Sequence, residues 1–299
     1  MLNIRSILCP VDFSEPSRRA LKVAGTFASR YKSRLTVLTV VDSLLAEAAR
    51  VRLGLDLAKG EIQPELAEFV RLTWGGRASP PDTVLAVRVG DAAQSIVDTA
   101  ATEAIDLIVM GTQGLGGLRK WILGSTTEQV LRHTRTPVLT VPTADSDAPR
   151  DSERPLGTGP VLAATDFSEP ATFALNYAAQ IAADVHVPLL LAHVVEPLTV
   201  PPQWATYVED SNEARVRAAR ERIEKIARTF PDDAGVADSI VARGNPEEEI
   251  AQIAEERGAD LIVIGLSGNE TPFGRRPGSI AYSVLCSARV PVLVVPRLQ

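Results

Sequence analysis

Residues 11–16 read VDFSEP and residues 165–170 read TDFSEP, the same acidic hexapeptide apart from its first letter, 154 positions later. Sliding the whole chain by that offset aligns much more. Asp12 meets Asp166, Asp42 meets Glu196, Gly90 meets Gly244 and Asp106 meets Asp260. Gly111, Gly114, Gly124, Ser125, Pro137 and Pro142 fall on Gly265, Gly268, Gly278, Ser279, Pro291 and Pro296 without a gap. One ungapped register over so many positions marks a duplication, so the 299 residues are read as two copies of one domain. The expected boundaries are 1–142 for the first domain, 143–159 for a linker and 160–299 for the second. The joint, TADSDAPRDSERPLGTG, is rich in Pro, Gly, Ser and Asp and has no apolar period.

Within each copy, short apolar runs alternate with helical patterns. RSILCPV (5–11) reads as a strand, Glu15 to Tyr31 carries Ala20, Leu21, Ala24, Phe27 and Ala28 at helical spacing, and RLTVLTVV (34–41) is a second strand. A long helical stretch follows, then the strand TVLAVRV (83–89), a helix capped by Asp91, the strand IDLIVMG (105–111), a helix starting near Ser125, and PVLTV (137–141). In the second copy, Asn245, Pro246 and Glu248 supply a cap, a first-turn proline and a capping-box acid. Alternating strand and helix, with strands that are apolar on successive residues, predicts a doubly wound α/β domain whose parallel sheet is covered on both faces.

Composition narrows the function. With 45% apolar residues, each half of about 150 residues can bury roughly two-thirds of the surface its unfolded chain exposes. Cys9 and Cys286 do not match under the offset, so they form no repeated disulfide or metal site, and reduced thiols are expected. No secretory leader pattern and no apolar run of about 18 residues is evident, which predicts a soluble, cytoplasmic protein. The net charge of −6 is unevenly shared: residues 1–142 carry 17 basic against 14 acidic side chains, residues 160–299 carry 12 against 19. No basic run interleaved with aromatics occurs, which argues against a nucleic-acid partner.

In a doubly wound sheet, ligands bind beyond the carboxyl ends of the strands where the connection order reverses. Two stretches lie there: Pro10-Val11-Asp12 after the first strand, and GTQGLGGLRKWILGST (111–126) after the fourth. Gly111 and Gly114 let a backbone approach a ligand, while Gly124 and Ser125 open a helix whose free N–H groups favour an anion. The loop is not a P-loop, which needs Gly-Lys-Ser or Gly-Lys-Thr. Nor is it the dinucleotide fingerprint, since Arg119 stands where a third glycine is required.

The spacing Gly111-x2-Gly114-x9-Gly124-Ser125, between an apolar strand and the ending TPVLTVP, with an Asp closing the first strand, resembles the universal stress protein family. The resemblance covers both copies and makes the chain similar to a tandem member. It implies five parallel strands per domain in the order 3-2-1-4-5, and a site for ATP, with or without Mg2+. Carried onto this sequence, the implied binding residues are Pro10, Val11, Asp12, Val40, Met110, Gly111, Gly114, Gly124, Ser125 and Thr126 in the first copy. In the second they are Asp166, Val194, Gly265, Gly268, Gly278 and Ser279. Gln113 departs from the His found in many members. The second loop, NETPFGRRP, carries Pro272, Pro277 and the phosphate-repelling Glu270, with Arg275 and Arg276 as an offset, so the first site is the stronger candidate.

Each residue also has a plainer reading. Gly111 and Gly265 can serve close helix packing, and Asp12 and Asp166 can cap the turn that follows them. Arg119 and Lys120 read as solvated and Trp121 as a packing residue. His133, His186 and His193 lack metal-ligand spacing and read as core or surface residues. Cys9 reads as a buried, inert thiol. GLSGN (265–269) misses the nucleophile elbow at Asn269, which argues against Ser267 as a nucleophile, and residues 214–228 read as a solvated amphipathic helix.

The resulting expectation is a stress-response protein that binds ATP or a related adenine nucleotide and acts as a switch. With no general base, nucleophile or carboxylate pair beside the loop, it is at most a slow ATPase, and no catalytic residue is assigned. The two domains are expected to pair as an intramolecular pseudo-dimer, with a homodimer as a further option. Alternatives are a non-nucleotide interaction module of the same family, and a small-molecule hydrolase or transferase using the same cleft.

Overall fold

The computed structural model describes residues 2–54, 56, 62–75, 80, 82–112, 123–143, 157–198, 200–201, 205–230, 236–266, 270–271, 274–275 and 279–296. The chain divides into two compact units, one comprising Asn3–Asp145 and Gly268–Arg276, the other Met1–Leu2, Ser146–Ser267 and Pro277–Gln299.

In the first unit the elements run β1 (Ser6–Pro10), α1 (Glu15–Tyr31), β2 (Arg34–Val41), α2 (Ser43–Leu53), α3 (Gln63–Thr73), β3 (Thr83–Val89), α4 (Ala92–Thr102), β4 (Leu107–Gly111), α5 (Ser125–His133) and β5 (Val138–Val141). The second continues with β6 (Val161–Ala164), α6 (Glu169–Val185), β7 (Leu189–Val195), α7 (Ala205–Ala227), β8 (Val236–Arg243), α8 (Pro246–Glu256), β9 (Leu261–Leu266), α9 (Ser279–Ser287) and β12 (Val292–Pro296). Between β9 and α9 lie two short strands, β10 (Glu270–Thr271) and β11 (Gly274–Arg275), paired antiparallel.

The strands of the first unit lie in the order β3-β2-β1-β4-β5, those of the second in the order β8-β7-β6-β9-β12, and the pairing is parallel in both. Each sheet therefore has the expected 3-2-1-4-5 order. The sequence offset reappears in the register: Ile7 faces Leu35 and Leu107, and Val161 faces Leu189 and Leu261. One irregularity, between Leu189 and Leu190 opposite β8, sets the second copy apart.

Successive residues of the central strands are buried, as in Ile7, Leu8 and Cys9 or Ile262, Val263 and Ile264, which requires cover on both sheet faces. Asp91 caps α4 and Asn245 caps α8 with Pro246 in its first turn, as predicted, while Ser14 and Ser168 cap α1 and α6. The long stretch after the second strand differs between the copies: two helices, α2 ending at a left-handed Gly54 and then α3, against the single 23-residue α7.

Two matched carboxylates bind the opening of the sheet's first strand. Asp106 Oδ2 accepts from the N–H groups of Arg5 (2.8 Å) and Ser6 (3.0 Å), and Asp260 Oδ2 accepts from Thr158 N–H (2.9 Å) and from Gly159 N–H. Both sit at the amino ends of the strands, away from the crevice where ligands bind. Among the described residues no helix is long and apolar enough to cross a membrane.

Candidate functional site

The reversal of connection order falls between β1 and β4 in the first unit, and between β6 and β9 in the second. At the carboxyl end of β1, Pro10 is half-buried and Val11 is buried, its N–H donating to the Leu38 carbonyl at 2.8 Å. Asp12 follows, half-buried, and its Oδ1 accepts from Ser14 N–H at 3.1 Å and from the Ser14 hydroxyl. Ser14 Oγ in turn accepts from Ser17 N–H at 3.3 Å. The carboxylate thus closes an Asx turn that feeds α1, as the plainer reading expects.

That turn forces Phe13 into the left-handed region, φ 65°, and the matched Phe167 has φ 65° as well. A bulky side chain rarely takes this conformation, and its recurrence in both copies marks it as a built feature of the turn. In the first copy the Phe13 ring meets Phe69 of α3 edge-on at 5.5 Å, and the Arg18 guanidinium lies 4.4 Å over Phe69 while donating to Thr73 Oγ1 at 3.2 Å. Arg18 braces α1 against α3, which sequence reasoning did not single out.

Gly111 ends β4. A Cβ there would stand 3.2 Å from Pro16 in the first turn of α1, so the glycine permits close packing of strand end and helix. Met110 before it is buried, and Val40 near the end of β2 is half-buried. Across the loop, Gly124 caps α5 without a side-chain hydrogen bond, and its N–H donates to the Thr112 carbonyl at 2.7 Å. Ser125 is exposed and Thr126 half-buried. Buried Thr127, which the motif reading passed over, donates from Oγ1 to the Gly111 carbonyl at 2.9 Å and so joins the end of β4 to the start of α5. The offset itself holds the clue: the matched residue is Ala281, so the second copy lacks this tie.

The first copy therefore brings Pro10, Val11, Asp12, Met110, Gly111, Gly124, Ser125 and Thr126 to the carboxyl ends of two adjacent strands. The start of α5 carries backbone N–H groups that no described side chain caps, an environment suited to an anion. Cys9 lies fully buried one residue before Pro10, and burial pushes its thiol pKa up, which keeps it protonated. Among the described residues no group of three or more His, Cys, Asp or Glu side chains could hold a metal ion.

In the second copy, Asp166 is exposed and its Oδ1 accepts from Ser168 N–H at 2.9 Å. Val194 is buried in β7, and Gly265 stands against Pro170 as Gly111 stands against Pro16. Ser279 opens α9. Gln113, Gly114, Arg119, Lys120, Trp121, Ser267, Gly268, Pro272, Arg276, Pro277 and Gly278, with linker residues 144–156, lie outside the described residues.

A sequence model described as the universal stress protein family matches residues 3–142 and again 158–296. The chain belongs to the universal stress protein family. A universal stress protein of Mycolicibacterium smegmatis is 28% identical over 300 residues, covering 97% of each chain. A Methanocaldococcus jannaschii member is 30% identical over 152 residues, which are 94% of its own length but 46% of this chain, as expected if one copy equals one whole relative. Among solved structures, a universal stress protein from Archaeoglobus fulgidus has a TM-score of 0.65 at 25% identity, covering 99% of this chain and all of that one. This tandem universal stress protein thus carries its family's fold twice, with crevices that differ in their details.

Proposed function

We propose that the first domain binds an adenine nucleotide, ATP in the first instance, and that the protein works as a binding switch with at most slow hydrolysis. What supports this most is the meeting of the Asp12 turn, Gly111 and the side-chain-free cap of α5 at one strand-end crevice. Backbone N–H groups of Ser125 and Thr126, with the Ser125 hydroxyl, would hold phosphate. Asp12 and the backbone at Val11 and Val40 would hold the nucleoside. Mg2+, where present, would arrive on the phosphates, since Asp12 is the one carboxylate among the candidate residues of this crevice and its Oδ1 is engaged by Ser14.

On this reading occupancy rather than turnover is the output, through a change in the population of states that a partner meets. Equilibrium dialysis with ATP tests the reading. The full chain should bind, and Gly124→Val, which crowds the start of α5, should weaken binding at least about tenfold, or about 1.4 kcal/mol. Full affinity in the variant, or none in the parent, would remove the assignment.

A second reading, an interaction module of the same family that takes no nucleotide, draws on one observation: Gly111 and Asp12 each already have a structural task, against Pro16 and Ser14. The parent's binding isotherm separates the two.

A further inference from the structure

We infer that the second crevice is closed by its own side chains, with His193 as the residue that closes it, so that the chain takes one nucleotide rather than two. The inference rests on the nucleotide reading for the identity of the ligand, though its geometry does not.

Thr165 directly follows β6, at the carboxyl end where a ligand would approach. Its carbonyl oxygen lies 2.7 Å from His193 Nδ1. A carbonyl only accepts, so Nδ1 is the donor, and a backbone acceptor at the mouth of the crevice is already used. The imidazole also stacks on Phe167, centroids 4.2 Å apart and tilted by 33°. The Arg222 guanidinium of α7 lies 4.4 Å over that same ring. A His–Phe–Arg cluster therefore stands over the ends of β6 and β7.

The first copy is built otherwise at the same register. Position 39, matched to His193, is a buried threonine too short to repeat the contact, and Phe13 turns to Phe69 of α3 instead of toward β2. The backbone of the two turns is the same, with φ 65° at both phenylalanines, so the difference lies in the side chains around the ring. Helix α7 carries Arg222 in the stretch where the first copy is divided into α2 and α3, and among the described residues the cation of the first copy, Arg18, lies over Phe69 and not over the matched Phe13.

Native mass spectrometry of the full chain with ATP counts the bound nucleotides. The parent should hold one. His193→Thr, which installs the first copy's residue, should hold two. Phe167→Asn, which removes the ring while suiting a left-handed backbone, should do the same and stands in if His193→Thr fails to fold. Two nucleotides on the parent, or variants that hold no more than the parent does, would overturn the inference. No nucleotide on the parent with one on each variant would sustain it while the first-domain reading falls.

Discussion

A Cβ built on Gly265 would stand 2.6 Å from the carbonyl carbon of Pro170, closer than protein atoms tolerate, whereas at the matched Gly111 the corresponding distance to Pro16 is 3.2 Å. The same contact is thus tighter in the second copy. Gly265→Ala must push α6 away from the end of β9, and overpacking of this kind costs about 1–3 kcal/mol. Gly111→Ala asks its neighbour to yield by only tenths of an ångström. Urea denaturation should show a clearly larger loss for Gly265→Ala; equal losses would mean that strand end and helix are not held at these distances.

Phe13 allows backbone strain to be separated from packing. Phe13→Ala loses the contact with Phe69 but keeps a Cβ at φ 65°. Phe13→Gly loses the same contact and relieves the strain, worth about 1–2 kcal/mol for a left-handed L-residue. Glycine at this position should therefore be the more stable of the two, the reverse of the usual order in regular structure. A thermal melt ranking alanine above glycine would show that the turn relaxes when the ring is removed.

Asp106 distinguishes the two ends of the sheet. Its carboxylate gathers the N–H groups of Arg5 and Ser6 at the amino end, and hydrogen bonds to charged groups contribute about 1.5–3 kcal/mol. Asp106→Ala should lower stability by that order, yet leave the affinity of the intact fraction for ATP unchanged, because the crevice lies at the other end. A selective loss of affinity at full stability would place the ligand elsewhere.

Much of this was readable in advance, and the reasons are physical. The 154-residue offset carried the strand register because parallel pairing depends on which apolar residues face one another, and the duplicated runs preserve them. Asp91 and Asn245 are legible as helix starts because capping is local. The expectation of a helical stretch after the second strand leaves its division into α2 and α3 open, which Gly54 and Pro64 mark in the structure. The cluster of Phe167, His193 and Arg222 was illegible because its members lie 26 and 55 residues from the phenylalanine and meet only through tertiary packing. The packing task of Gly111 was illegible because Pro16 lies 95 residues away in the chain and meets it only in the fold.

Cys9 yields a chemical prediction. Its thiol is fully buried in β1 and its pKa is pushed up by that burial, while Cys286 is half-exposed. Alkylation in native buffer should mark Cys286 well before Cys9, with Cys9 reacting only on unfolding. The stability effect has a definite sign. Above about pH 8.5 the unfolded chain releases this proton and the native one keeps it, so stability falls as pH rises, and below that value Cys9 contributes no pH dependence. Rapid native labelling of Cys9 would contradict the buried setting.

Thr127 ties the proposed phosphate end to the fold. Its hydroxyl donates to the Gly111 carbonyl at 2.9 Å, joining the last residue of β4 to the first turn of α5, whose backbone N–H groups would meet an anion. Thr127→Val keeps the shape and deletes the donor, and the loss of one such hydrogen bond costs about 0.5–1.5 kcal/mol. If that tie holds the start of α5 in place, ATP affinity should fall severalfold in protein that remains folded at the assay temperature. Thr127→Ser, which restores the donor, should recover most of it. A loss of stability with unchanged affinity in Thr127→Val would show that the orientation of α5 does not depend on this bond.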